Sequence, residues 1–248
     1  RGIATPNLAE RLELVTLGTV ADVVPLDANN RILTWQGMSR IRAGKCRPGI
    51  KALLEVANRD PQKLAASDLG FALGPRLNAA GRLDDMSVGV ALLLCDNIGE
   101  ARVLANELDA LNQTRKEIEQ GMQVEALTLC EKLERSRDTL PGGLAMYHPE
   151  WHQGVVGILA SRIKERFHRP VIAFAPAGDG TLKGSGRSIQ GLHMRDALER
   201  LDMLYPGMML KFGGHAMAAG LSLEEDKFEL FQQRFGELVT EWLGPSLF

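Results

Sequence analysis

Two glycines, a histidine and a run of small residues stand together at 211–220, KFGGHAMAAG. Gly213 and Gly214 carry no Cβ, so the main chain there can turn with positive φ and come close to a bound group. His215 follows at once, with Ala216, Ala218, Ala219 and Gly220 behind it. Side chains this small let a phosphate or sugar approach backbone N–H groups, which can cradle an anion. A tight turn with a core histidine fits the same letters. A second glycine-rich segment, GSGRS at 184–188, adds a cation. Ser185 and Ser188 offer hydroxyls there, and Arg187 offers a planar fork suited to phosphate. Two such turns in one small region point to a common polyanion.

Further segments repeat the theme, each with two readings. In WHQGVVGILASR (151–162), Gly154 and Gly157 open a helix whose first-turn N–H groups would face an anion beside His152. Alternatively, Trp151 packs in the core and His152 satisfies a backbone group. In GPRLNAAGRLDD (74–85), Arg76 and Arg82 flank Asn78 and can reach successive phosphates, or Asp84 and Asp85 pair them internally. Residues 31–51 hold Arg31, Arg40, Arg42, Lys45, Arg47 and Lys51 around Trp35, as a phosphate track or as a solvated helix face. Asp22 stands alone in GTVADVVPL, costly to bury unless paired or holding a cation. One carboxylate does not make a metal site. All five histidines (148, 152, 168, 193 and 215) fall in the second half, which suggests a site there. His148 and His152 have the spacing of helical metal ligands, but Pro149 between them breaks the helix this needs.

The elements that must position these residues are readable from periodicity. A helix at 8–17 leads to a stop at Pro25. From Glu100 to Asp138, apolar residues at 104, 108, 111, 118, 122, 129 and 133 mark one face of a long helix. Arg115 and Glu125 interrupt that seam and Gly121 weakens it, which suits a connector between domains. Pro141-Gly142-Gly143 ends it. Then come a strand at 143–147, a helix at 155–167, a strand at 170–175, a strand or turn at 182–188, a helix at 194–204, a strand near 218–223 and a helix at 226–243. Such alternation predicts an α/β or α+β sheet domain.

The composition sets limits. The 248 residues are 45% hydrophobic and 24% charged, as in a soluble globular protein. The formal net charge of −2 gives no global basic field, so any nucleic-acid site is local. The longest apolar run, VGVALLLC at 88–95, is too short to span a bilayer, and no membrane association is expected. Cys46, Cys95 and Cys130 form no CxxC pair, which favours reduced thiols in a cytoplasmic protein. The chain opens on Arg1, as an excised piece of something longer would.

Taken in order, GTVADVVPL, GPRLNAAGR, ELDALNQTRKEIE (107–119), WHQGVVGILASR, GSGRS and KFGGHAMAAG resemble the RecJ family of bacterial single-strand-specific DNA exonucleases, within the DHH phosphoesterase superfamily. The resemblance covers nearly the whole chain. It implies an α/β fold in three parts: the helical C-terminal remainder of a DHH phosphoesterase domain over 1–98, a connecting helix over 99–139, and a mixed-sheet α/β DHH-associated domain over 140–248. It implies 5′-to-3′ hydrolysis of single-stranded DNA in repair and recombination, with Mn²⁺ or Mg²⁺. Single-strand-binding protein, a helicase, a monomeric state and a bacterial cytoplasm are implied in the same way. Asp22 matches the family's last metal-ligand motif, and Arg76, Asn78 and Arg82 its phosphate-contact motif. Arg187, Ser188, Gly214 and His215 match the substrate-facing turns, with His215 beside the scissile phosphate. His152 and Ser185 lie in matching motifs and join the phosphate-binding set.

The chain also departs from the family pattern. It has no Asp-His-His triplet and no histidine before His148, and it is expected to begin inside the phosphoesterase domain and to end before the family's oligonucleotide-binding barrel. Two-metal hydrolysis needs both ions held, so this chain is expected to bind DNA, to retain no metal and to be inactive alone. Nano-RNA or cyclic-dinucleotide phosphodiesterases of the same superfamily also carry a GGH turn and remain an alternative. A pure binding module, like the related domain appended to alanyl-tRNA synthetases, is another, but it leaves residues 1–137 without a role.

Overall fold

Residues 7–136 and 140–244 are described by a computed structural model, with the side chains of 134–136 left aside. The chain divides into two units, Arg1–Arg115 and Lys116–Phe248, and the division falls within one long helix. The end of the expected connecting helix, 137–139, lies outside the described residues.

The first unit is helical. A 3₁₀ turn at Leu8–Arg11 leads into α1 (Leu12–Ala21), and Asp27 caps α2 (Ala28–Arg42) by accepting from the Asn30 N–H at 2.8 Å. Pro25 sits between these helices, as its missing N–H requires. Gly37 lets α2 cross α1 closely, where a Cβ would strike Thr16 and the Leu12 carbonyl. α3 (Pro48–Val56) follows, then a single turn, α4 (Ala66–Asp68), a π-helical turn (Leu69–Leu73), α5 (Gly74–Leu83) and α6 (Ser87–Leu94). Ile41, Leu53, Leu69, Leu73, Leu92 and Leu108 lie fully buried at the centre.

The long helix, α7 (Ile98–Ser136), is buried along a seam narrower than its apolar residues suggest. Its deepest positions are Ala101, Ala105, Leu108, Asn112, Glu119, Met122, Ala126 and Cys130, whereas Leu111, Ile118 and Leu129 are only half-buried. Of the two expected interruptions, Glu125 is an attachment point, whereas Arg115 donates to Asn112 within the helix. Glu125 accepts the Trp151 indole N–H at 2.8 Å, and Glu119 accepts from Arg162 Nε at 3.2 Å.

The second unit holds a five-stranded mixed sheet among the described residues, in the order β1-β2-β3-β5-β4. β1 (Leu144–Tyr147) runs parallel to β2 (Val171–Gly178), and α8 (Val156–Phe167) makes the crossover between them. β3 (Thr181–Arg187) and β5 (Ala218–Glu224) continue antiparallel, and β4 (Lys211–Gly214) closes a hairpin on β5. One face of the sheet carries Ile172, Phe174, Leu182, Leu221 and Leu223 against α9 (Met194–Leu204) and α10 (Phe228–Leu243). The other is covered by α8 over β2 and β3. At the outer edge of β1, the Gln232 amide donates to the Ala145 carbonyl.

The strand-or-turn reading of 182–188 resolves as strand, with residues 184–187 inside β3. The segment read as a bare turn before His215 contains β4, which is too short for strand periodicity to reveal. Cys95 and Cys130 are buried and Cys46 half-buried, all as free thiols.

Gly121 is exposed on α7 with open space where a Cβ would stand. Its cost is therefore one of helix propensity alone. Gly121→Ala should stabilise the protein by about 1 kcal/mol, read as a higher denaturant midpoint at unchanged slope. A lower midpoint would show that the glycine serves a contact.

Candidate functional site

Strand alternation sorts the chemistry of β3 onto two faces. Leu182, Gly184 and Gly186 point to the core. A Cβ on Gly184 would come within 2.5 Å of Phe174 Cε1 and 2.8 Å of Leu221 Cδ2, and one on Gly186 would crowd Met194 at 3.3 Å. These glycines are therefore packing residues rather than a phosphate cradle, which corrects half of the GSGRS reading. Lys183, Ser185 and Arg187 face the other way, toward α8 and the open part of the sheet.

The sheet register extends this second face. Ser185 stands opposite Gly220, and Gly220 opposite Gly213. One row along, Lys183 stands opposite Ser222, and Ser222 opposite Lys211. On the other side Arg187 stands opposite Ala218, whose carbonyl accepts the His215 N–H at 2.8 Å. A groove of about 500 Å³ opens here, lined by Gln153, Lys183, Ser185, Lys211, Gly213 and Gly220 among others. Its floor is bare. A Cβ on Gly213 would meet nothing within 4 Å, and one on Gly220 only the Gly184 carbonyl at 3.8 Å. Neither glycine has positive φ, so nothing inside the protein requires these two to be glycine.

Gly214 differs. Its φ is +146°, and a Cβ would collide with the Ala218 carbonyl and the Ala219 backbone. It closes the β4–β5 hairpin and presents exposed His215 at the tip. The tip is pinned through main chain: Ser188 N–H donates to the Met217 carbonyl at 2.9 Å, and Met194 N–H to the Ala216 carbonyl at 2.8 Å. Ser188 is 1% exposed and its hydroxyl donates to the Leu192 carbonyl at 2.7 Å. A hydroxyl so placed and so used does not reach a ligand, and Ser188 becomes a residue that holds the hairpin in position.

Arg187 and Ser185 are organised by α8. Arg187 Nη1 donates to Ser185 Oγ at 3.0 Å and to the Gly186 carbonyl at 2.8 Å. Gly157 makes room, since its Cβ would stand 2.9 Å from Arg187 Nη2 and 3.0 Å from Ser185 Oγ. The helix N-terminus is not the expected anion site. His152 Nδ1 accepts the Gly154 N–H at 3.1 Å, and the His152 carbonyl accepts from Val155 and Val156 at 3.0 and 3.2 Å. His152 thus satisfies backbone groups of the turn ahead of α8, beside a buried Trp151. His148 and His193 likewise accept backbone N–H groups through Nδ1, and His168 ends α8 in the left-handed conformation at φ 52°. Two of the five histidines, His168 and His193, are therefore helix caps, and His148 and His152 hold turns.

In the first unit the expected phosphate contacts separate. Arg76 is mostly buried, with Nε donating to Asp109 Oδ1 at 2.8 Å and Nη1 to the Ala72 carbonyl at 2.8 Å. Its partner is Asp109 on α7, not Asp84 or Asp85. Asn78 and Arg82 are exposed and four apart on α5, so they share a face that Arg76 does not. In the basic segment, Arg42 and Arg47 are taken up within the protein. Arg42 donates twice to the Leu64 carbonyl, and Arg47 donates to the last carbonyls of α6 and to Asp96. Asp22 caps the end of α1 and is exposed rather than buried. No three His, Cys, Asp or Glu side chains gather as a metal cage among the described residues.

Lys183, Lys211 and Gln153 went unnoticed in the sequence. Lys183 sits one residue before GSGRS and Lys211 opens KFGGH, so alternation from Arg187 and His215 was the available signal.

The model of the DHHA1 domain family matches residues 141–241. The chain is 96% identical over 247 residues to the single-stranded-DNA-specific exonuclease RecJ of Escherichia coli (strain K12), covering 100% of this chain and 43% of that protein. Crystal structures of RecJ from Thermus thermophilus in complex with Mg²⁺ and with Mn²⁺ each superpose with a TM-score of 0.81 at 34% identity, covering 95% of this chain and 35% and 33% of those chains. The chain thus spans less than half the length of these relatives.

Gly157→Ala should fold normally yet push the Arg187 guanidinium and Ser185 aside, since the atoms it meets are side-chain ends. Backbone chemical shifts elsewhere in the sheet should stay put while affinity for a single-stranded oligonucleotide drops several-fold, on the order of 1 kcal/mol. Unchanged affinity would remove Arg187 from the site.

Proposed function

The chain belongs to the RecJ family, and from that premise we propose that its second unit grips the backbone of single-stranded DNA for a 5′-to-3′ exonuclease of repair and recombination. The observation that carries this reading is the glycine-floored groove lined by Lys183, Ser185 and Lys211, beside which the sheet register sets Arg187 opposite Ala218, whose carbonyl holds the His215 N–H. Arg187, steadied by Ser185, neutralises a phosphate through its planar fork. His215, held at the tip by backbone bonds, stands over the phosphate to be cleaved, and Gly214 gives the hairpin its shape. In the first unit, Asn78 and Arg82 on α5 are proposed as further phosphate contacts. Arg76 and Ser188 support these groups from within, and His152 shapes the entry to α8.

The domain plan is a DHH remainder over 1–98, a connecting helix over 99–139 and a DHH-associated domain over 140–248. The relatives' Mg²⁺ and Mn²⁺ imply a metal-dependent reaction for the whole enzyme. The residues described in this chain do not fit such an ion by themselves. Asp22 is one exposed carboxylate without companions among the described residues, and no step is assigned to it. A monomer in the bacterial cytoplasm, working with single-strand-binding protein and a helicase, completes the proposal. No described helix is long and apolar enough to cross a membrane.

The chain should bind oligodeoxythymidylate with log K falling against log salt by about 0.7 per phosphate contacted, measured by fluorescence anisotropy. It should release no nucleotide with Mn²⁺ present. Arg187→Ala should weaken binding by about tenfold. Binding that is absent, or indifferent to salt, would sink the reading.

A further inference from the structure

Building on that reading of the groove, we propose that Lys183 and Lys211 form a second phosphate seat, so that the site requires two linked phosphates rather than one. Lys183 and Arg187 lie on the same face of β3, four residues and therefore about 13 Å apart along the strand. The Arg187 guanidinium, however, leans back to Ser185 Oγ at 3.0 Å, so the two cations stand about two residues, or ~7 Å, apart along the strand and address successive phosphates. Lys211 reaches the same row as Lys183 from the opposite side, through Ser222. The Lys183 ammonium donates to Gln153 Oε1 at 3.2 Å, which aims it over the groove while leaving it exposed.

Between the Lys183 and Arg187 rows runs the row Ser185, Gly220, Gly213. The two glycines are free of any internal requirement, as their empty Cβ positions and ordinary φ values show. Elsewhere in this sheet the glycines answer to packing: Gly184 to Phe174, Gly214 to Ala219. Strand interiors favour side chains with branched or aromatic bulk. An exposed floor without them keeps a path clear for the sugar that links one phosphate to the next. The ligand is thus a dinucleotide or longer strand carrying two phosphates, and a mononucleotide fills only the Arg187 seat. This gives the site a means of holding the polymer while letting a single-nucleotide product go.

The test titrates this chain at low salt with thymidine 5′-monophosphate and with the 5′-phosphorylated thymidine dinucleotide, followed by calorimetry or chemical shift. The wild type should favour the dinucleotide by about tenfold or more. Lys183→Ala/Lys211→Ala should bring this ratio near one without weakening the mononucleotide, and Lys183→Arg/Lys211→Arg should restore it. Gly220→Val, well suited to a strand, should fold and also abolish the preference. If the alanine pair keeps the ratio, or lowers both ligands equally, the second seat is overturned while the DNA-gripping reading stands. If the wild type binds neither ligand nor oligodeoxythymidylate, both fall together.

Discussion

Alternation along β3 is the constraint on which the second unit depends. The strand lies in the middle of the sheet, so both its faces are committed: one to the core, the other to charged residues. Any shift of one residue would send Lys183, Ser185 and Arg187 into the apolar layer and turn Leu182 outward. The register is held from both sides, by pairing with β2 and with β5. Gly184 enforces it further, because a Cβ there would strike Phe174 and Leu221, and Gly186 keeps clear of Met194. The cations of the groove therefore owe their placement to apolar packing on the opposite face.

The elements of this unit were largely legible, because its helices carry clear apolar faces and its longer strands are rich in Val, Ile, Ala and Phe. The short β4 was not, since four residues reading KFGG offer no alternation to detect. The site was half legible. The residue types at GSGRS and GGH do signal close approach, but the letters alone do not say which glycine serves the core and which the groove. Gly184 and Gly220 look alike in sequence, and only the atoms around each distinguish them. The same applies to Ser185 and Ser188, one facing the groove and the other sealed beneath the hairpin.

The first unit shows why counting cations misleads. Arginines at 42, 47 and 76 are spent on carbonyl groups and carboxylates of the protein itself, where their several donors suit the ends of helices and loops. A guanidinium satisfies several acceptors at once, so it serves as an internal clamp that a lysine would not replace. The exposed lysines of the sheet, by contrast, keep donors available. In the long helix, Glu125, which seemed to spoil the seam, anchors it to Trp151, and Glu119, unremarked in the sequence, anchors it to Arg162.

The Gln232 amide seated on the Ala145 carbonyl has a consequence for self-association. A sheet edge with unpaired backbone groups is a template on which another chain can add a strand. Here one border of the sheet has an acceptor already occupied by a side chain, and the other ends in a strand of four residues that begins with a lysine. Neither border offers a long, flat, uncharged ladder. Both borders are thus blunted against strand addition, while the glycine-floored face between them stays open.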